Sequence, residues 1–364
     1  MSELPEKFGA RASALSLVGI FVVLFYSSGV SRTHNASAQS LPQAELVPAL
    51  SKYMDLHTHI DPHDPSASVE AAVRSMVNQN AARLFLLTEP YPQDDPERYD
   101  AEIFLPTAKK YPDKLAVLGG GGTLNAMIQE AARSGNDGPD VRREFRERAY
   151  ELLREGAAGF GELTAEHLSQ PSSALKDYEY APPNHPLFLL LADIAAEQNV
   201  PIDLHMEAVP KTMPLPSDLT SPNPPQLPAN IADFERLLQH NRGAKIIWAH
   251  AGADFTGSRT PELCRRLLKS HSNLYMEIKV DLVTPGKNPV FVNGKIKPEW
   301  LNLFQDFPDR FVIGSDQHYR PGPAKGPLRW ESSVMLLNQL PTDLRRKIGM
   351  ENALHIYSKL ANPL

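Results

Sequence analysis

Short aliphatic and β-branched runs alternate with longer amphipathic segments from residue 53 onward. The runs predict strands at 53–57, 83–88, 114–119, 158–163, 201–206, 245–250, 273–279 and 310–316. The segments between them predict helices over 68–80, 101–111, 140–155, 185–198, 231–240 and 261–270. In the third of these, Val141, Phe145, Ala149, Leu152 and Leu153 recur at the spacing of one helical face. Strands alternating with helices imply a parallel sheet, because each parallel connection needs a crossover. Eight such strands in 364 residues predict an α/β fold closed as a (β/α)8 TIM barrel, with an open doubly wound sheet as the alternative. The glycines at 119–122 follow the third strand, not the first, and lack the Gly-x-Gly-x-x-Gly pattern of a dinucleotide fold.

The long irregular segments, 89–100, 164–183, 209–228, 281–297 and 317–330, all follow strands. In a barrel such loops form the C-terminal face, where active sites sit. The proline cluster from Pro210 to Pro228 reads either as a stiff cap over that face or as a surface excursion or subunit contact.

Composition narrows the chemistry. The formal net charge is -6, and without a basic excess nucleic acid is not an expected partner. The lone Cys264 rules out an internal disulfide framework and a multi-thiolate metal site. Near the start, Lys7 and Arg11 precede an apolar run from Ala14 to Tyr26, followed by Ala36-Ser37-Ala38. This is the layout of a secretory signal peptide over residues 1–38, with residues 39–364 as the barrel domain. The apolar run is short for a span of about 20 residues, so no stable membrane span is expected after cleavage. An exported protein, periplasmic or secreted, is the expectation; an uncleaved anchor is the alternative.

Ligand-type residues fall at matching strand ends. The first strand supplies His57 and His59, two apart and therefore on one face. The fourth ends near Glu162, the fifth at His205, the sixth at His250 and the eighth at Asp316. In a closed parallel barrel these ends meet at one mouth. Imidazole and carboxylate without thiolate suit Zn2+, with Mn2+ or Fe2+ also accommodated.

Leu56-His57-Thr58-His59, Leu204-His205, Ala249-His250-Ala251-Gly252 and Gly314-Ser315-Asp316 resemble the motifs of the amidohydrolase superfamily. The branch they resemble is the amidohydrolase-related (amidohydrolase-2) group, which includes lactone hydrolases and metal-dependent decarboxylases. The segment from Ile348 to Tyr357 is similar to its closing helix. The resemblance implies that His57, His59, His205 and Asp316 bind metal. His250 would be a second-metal ligand, or in one-metal members a group that polarises the carbonyl or moves a proton. Two-metal members often carry a carboxylated lysine at the fourth strand end, where this chain has Glu162. Glu162 therefore bridges two ions, binds one, or hydrogen-bonds a ligand histidine, and ligand count alone favours one ion. The implied reaction is hydrolysis of an amide, lactone or other ester of a small molecule by a metal-activated water, with Asp316 as general base. Decarboxylation with the same parts, or metal or ligand binding without catalysis, are the alternatives. The resemblance also allows a homodimer.

Other residues have weaker claims. Lys279 and Arg320 could receive a substrate carboxylate or be solvated cations. Trp330 could line the substrate wall, whereas Trp248 reads as barrel packing. Asp55 reads as an orienter of a ligand histidine. Glu207, His63 and His318 read as neighbours of the site or surface residues, His167 as structural, and Cys264 as buried packing.

Overall fold

The computed structural model describes residues 49–92, 95, 98–170, 177–282, 286–323 and 328–360. The predicted leader lies outside these residues. Among the described residues, no helix is long and apolar enough to cross a membrane.

The parallel path of the main sheet is made of β1 Tyr53–Ile60, β2 Ala81–Leu87, β3 Leu115–Gly120, β4 Gly159–His167, β5 Pro201–Met206, β6 Lys245–Ala251, β7 Leu274–Ile278, β8 Phe311–Ile313 and β9 Gln317–Tyr319, and the two-residue strand Glu179–Tyr180 pairs antiparallel with β4 off this path. Along the path the order is β8-β7-β6-β5-β4-β3-β2-β1-β9, with every one of these pairings parallel. The curled parallel sheet is TIM-barrel-like. The predicted eighth strand is split by Gly314, Ser315 and Asp316. Its first part pairs with β7 through Met276–Phe311, Glu277–Val312 and Ile278–Ile313, and its second with β1 through Thr58–Gln317, His59–His318 and Ile60–Tyr319.

The strands are apolar on both faces, as a covered parallel sheet requires. Leu84, Leu86, Leu115 and Val117 belong to one buried cluster, while the alternate residues Phe85, Leu87, Ala116 and Leu118 belong to a second. Ile247, Tyr275 and Val312 extend the second cluster, and Ala353, Ile356 and Tyr357 of the C-terminal segment join it. On β7, Tyr275 shares its parity with Glu277 and then Lys279. One side of the strand thus changes from apolar to charged toward its C-terminal end.

The helices include α1 Pro65–Gln79, α2 Leu105–Ala108, α3 Leu124–Ser134, α4 Pro139–Glu155, α5 Pro186–Glu197, α6 Ile231–His240, α7 Pro261–Ser270, α8 Pro298–Asp306 and α9 Arg329–Gln339. Proline in the first turn of α1, α4, α5, α7 and α8 presets φ where no intrahelical N–H bond is lost. Phe145, Ala149 and Leu152 of α4 are buried as the stripe predicts, with Val141 and Leu153 half-buried. The segment predicted as one helix over 101–111 is a 3-10 turn, Ala101–Ile103, followed by the single turn of α2. The proline-rich segment is not structureless: Met213–Pro214 pairs antiparallel with Gln226–Leu227. Val209, Leu219 and Leu227 bury against Leu168 in a small core of their own.

Candidate metal centre

His57, His59, Glu162, His205, His250 and Asp316 converge. Glu162 stands in the middle of β4, not at its end, because the strand runs on to His167. Its carboxylate has one oxygen toward each pair of histidines. Oε2 is 3.3 Å from His57 Nε2 and 3.4 Å from His59 Nε2. Oε1 is 2.7 Å from His205 Nδ1 and 3.3 Å from His250 Nε2. Asp316 Oδ1 lies 3.3 Å from His59 Nε2. His250 and Asp316 hold φ of 66° and 55°, a left-handed region uncommon for non-glycine residues and found at sites that the surroundings over-determine.

These spacings fit a cation. Ligands about 2.0–2.1 Å from a tetrahedral ion lie roughly 3.3 Å from one another. His57 Nε2 and His59 Nε2 are 3.1 Å apart, and both fall 3.3–3.4 Å from Glu162 Oε2. The tautomers agree. A carbonyl only accepts, so in the 3.1 Å contact with the Leu87 carbonyl His59 Nδ1 is the donor, and Nε2 is the nitrogen that would face an ion once its proton is lost. His57 Nδ1 faces Glu277 Oε2 at 2.9 Å, the carboxylate backing that orients a ligating imidazole. With both Nε2 atoms deprotonated, their lone pairs 3.1 Å apart would repel unless a cation lay between them. Among the described residues the geometry gives four groups of potential ligands: His57, His59, Glu162; Glu162, His205, His250; His59, Asp316, His318; and His57, His250, Glu277.

Charges around the site reinforce the picture. Burial pushes the Glu162 carboxyl up, but His57, His205 and His250 outweigh it and hold the group well below the usual range. Burial likewise opposes ionisation of Asp316, yet Lys279 and Arg329 keep it well below normal. Lys279 Nζ is 2.5 Å from Asp316 Oδ2, and Arg329 donates to that same oxygen and, at 2.7 Å, to the Asp316 carbonyl. Burial lowers His59, but hydrogen bonds that its ring donates to Asp316 and Glu162 bring it up to about 9. His205 is pulled down to about 3, mainly by burial. Beneath the histidines Asp203 is buried with Oδ1 3.4 Å from His57 Nδ1.

Of the weaker candidates, Lys279 joins the cluster. Arg320 does not: its side chain is 65% exposed and its Nε lies 3.8 Å from Asp61. Trp330 packs in the hydrophobic core at 2% exposure, because the chain enters α9 at Arg329 and turns the indole inward. Asp55 bonds no imidazole. It accepts from Ser315 N at 2.9 Å and Ser315 Oγ at 2.5 Å, tying the eighth-strand break to β1. His318 stacks on His59 with centroids 4.7 Å apart and bonds Glu89 at 3.0 Å, while His63 is exposed beside Asp61. Glu207 Oε1 is 3.9 Å from His205 Nε2. His167, read as structural, has its ring 5.1 Å from that of His205. Cys264 is free and buried. Sequence reasoning passed over Asp203, Glu277 and Arg329. The first two had a signal, each lying two residues before a singled-out residue and so on the same strand face. Arg329 had none, since its approach depends on how the last long segment folds back.

The family model described as Amidohydrolase matches residues 54–359. No curated protein matches the chain. Among solved structures, 2,6-dihydroxybenzoate decarboxylase complexed with 2,6-dihydroxybenzoate is similar at TM-score 0.50 and 12% identity, covering 85% of this chain and 100% of that one. A dihydroxybenzoic acid decarboxylase from Polaromonas sp. JS666 with bound manganese and an inhibitor gives TM-score 0.49 and 14% identity, with coverage of 86% and 99%. Dihydroorotase from Saccharomyces cerevisiae gives 0.46 and 11%, with 85% of each chain covered. With a match spanning nearly all of the described residues, the chain belongs to the amidohydrolase family.

Proposed function

We propose that the protein is a metal-dependent hydrolase of an amide, lactone or other ester, holding two divalent ions bridged by Glu162. One observation carries this reading: the two oxygens of the Glu162 carboxylate face different histidine pairs. His57, His59 and Asp316 would complete one half-site, His205 and His250 the other. The donor set of imidazole and carboxylate suits Zn2+ and also takes Mn2+ or Fe2+. With the histidines neutral, as ligation requires, Glu162, Asp203, Glu277 and Asp316 outnumber Lys279 and Arg329, and bound cations would supply the missing positive charge.

A divalent ion held by these residues would supply an activated water at neutral pH, lowering its pKa from about 15.7 toward 7, and would polarise a carbonyl oxygen. Asp316, ionised and beside His59, accepts the proton of the attacking water and delivers it to the leaving group. Lys279 and Arg329 reduce its basicity, and a substrate carboxylate that took over either cation would restore it. Glu277 and the Leu87 carbonyl hold the imidazoles of His57 and His59 in the ligating orientation. The leader reading of residues 1–38 would place this activity outside the cytoplasm.

The same cation pair favours a second reading, a decarboxylase in which Lys279 and Arg329 grip the departing carboxylate. One experiment separates the two. Metal-stripped and metal-restored protein is incubated with ester, lactone, amide and aromatic carboxylate panels, and acid release and CO2 are both measured. Metal-dependent acid release without CO2 supports the hydrolase. CO2 release supports the decarboxylase, and turnover that survives stripping contradicts both.

A further inference from the structure

We propose that Arg259 is a positioning residue that sets the spacing between His205 and His250. The inference rests on the two-ion reading above. The pairing of β5 with β6 runs Pro201–Lys245, Ile202–Ile246, Asp203–Ile247 and Leu204–Trp248, and ends there. Both histidines lie beyond the last pair. Each is anchored on its outer side: His205 pairs with Thr164 of β4, and His250 is bracketed by the β7 pairs Met276–Trp248 and Ile278–Ala251. Side chains span the gap between them.

The Arg259 guanidinium, on a residue only 4% exposed, donates to the carbonyl of Met206, the residue after His205. It also donates to the carbonyl of Ala249, the residue before His250. The Trp248 indole donates to the same Met206 carbonyl at 2.8 Å, and the guanidinium sits 4.0 Å from the Trp248 ring centroid. Arg259 is itself fixed. Its backbone N–H donates to Asp254 Oδ2 at 3.0 Å, and the next residue, Thr260, caps α7 by accepting from Leu263 N at 3.2 Å.

A planar fork of donors reaches two carbonyls at once; a lysine ammonium on a flexible stem does not hold them at a set distance. The other half-site does not lie across the β5–β6 gap. His57 and His59 share one strand, and β1 stays paired with β9 out to Ile60–Tyr319. Loss of the Arg259 staple is therefore expected to loosen one half-site and spare the other.

The test is titration of metal-free protein with Zn2+ and Co2+, following stoichiometry by elemental analysis after dialysis and the visible Co2+ spectrum. Wild type is compared with Arg259→Lys, Arg259→Met and Trp248→Phe. Wild type is expected to bind two ions. Arg259→Lys is expected to keep the affinity of one site and weaken the other by about 10–100-fold, the range seen when a group behind a ligand is lost. Arg259→Met is expected to hold one ion, and Trp248→Phe to weaken the same site less. If Arg259→Met does not fold, Arg259→Lys and Trp248→Phe still decide the matter. Two ions in wild type with both affinities unchanged in Arg259→Lys, or both weakened alike, would overturn this inference alone. One ion or none in wild type would overturn it together with the two-ion reading.

Discussion

Glu162→Gln keeps the length of the side chain and removes its charge, so it separates electrostatics from packing. If one carboxylate serves both histidine pairs, this variant weakens both ions by more than the roughly 100-fold that loss of a group behind a ligand costs. Equilibrium dialysis measures it. Glu277→Gln acts one step removed: the residue faces His57 Nδ1 at 2.9 Å and touches no proposed ion. Its expected cost is about 10–100-fold in affinity for the half-site that contains His57. Gly314 leaves room for the Glu277 carboxylate, and a methyl there would overlap it. Gly314→Ala is expected to cost about 1–3 kcal/mol in urea unfolding, as overpacking does, and to weaken metal binding. At this scale the convergence of His57, His59, Glu162, His205, His250 and Asp316 was legible because strand periodicity and fold pattern point to the same positions. Trp330 and Arg320 were not, since distance along the chain from a strand end says nothing of where a loop turns its side chains.

Elements decide which residues meet. The eighth strand does so by breaking: β8 pairs with β7, β9 pairs with β1, and Asp316 stands in the break with its N–H donating to the His57 carbonyl at 2.8 Å. Asp55 holds that break through Ser315, and burial pushes the Asp55 carboxyl up to about 7 against the pull of those bonds. Ser315→Ala strips the hydroxyl from a buried acceptor and is expected to destabilise by about 1–3 kcal/mol, read as a shift in the urea midpoint. All eight predicted strand positions carry strands of the main sheet, because each is a short apolar run bounded by helical patterns. Helices α3, α8 and α9 were not predicted; they lie in segments read as part of loops or left without a pattern. The split of the eighth strand is likewise invisible in sequence, being a property of pairing with two neighbours at once.

Across the whole molecule, proton uptake and metal uptake oppose each other. In metal-free protein His59 sits at about 9, where the pull of Asp316 and Glu162 exceeds the effect of burial. Burial raises Glu166 and Glu179 to about 8. Each folded pKa lies above its unfolded value, so from pH 7 to 9 the folded protein holds more protons than the unfolded chain. Stability of the metal-free protein must then fall as pH rises across that window. Bound ions replace the histidine protons and flatten the dependence. Melting temperatures from pH 7 to 9, with and without a chelator, check this; a metal-free protein that grows more stable toward pH 9 would contradict it. The most direct test of the central claim is an anomalous-diffraction map of crystals loaded with Zn2+ or Mn2+. Two peaks about 3.5–4 Å apart are expected, one on each side of the Glu162 carboxylate. A single peak touching one histidine pair, or none near Glu162, would contradict it.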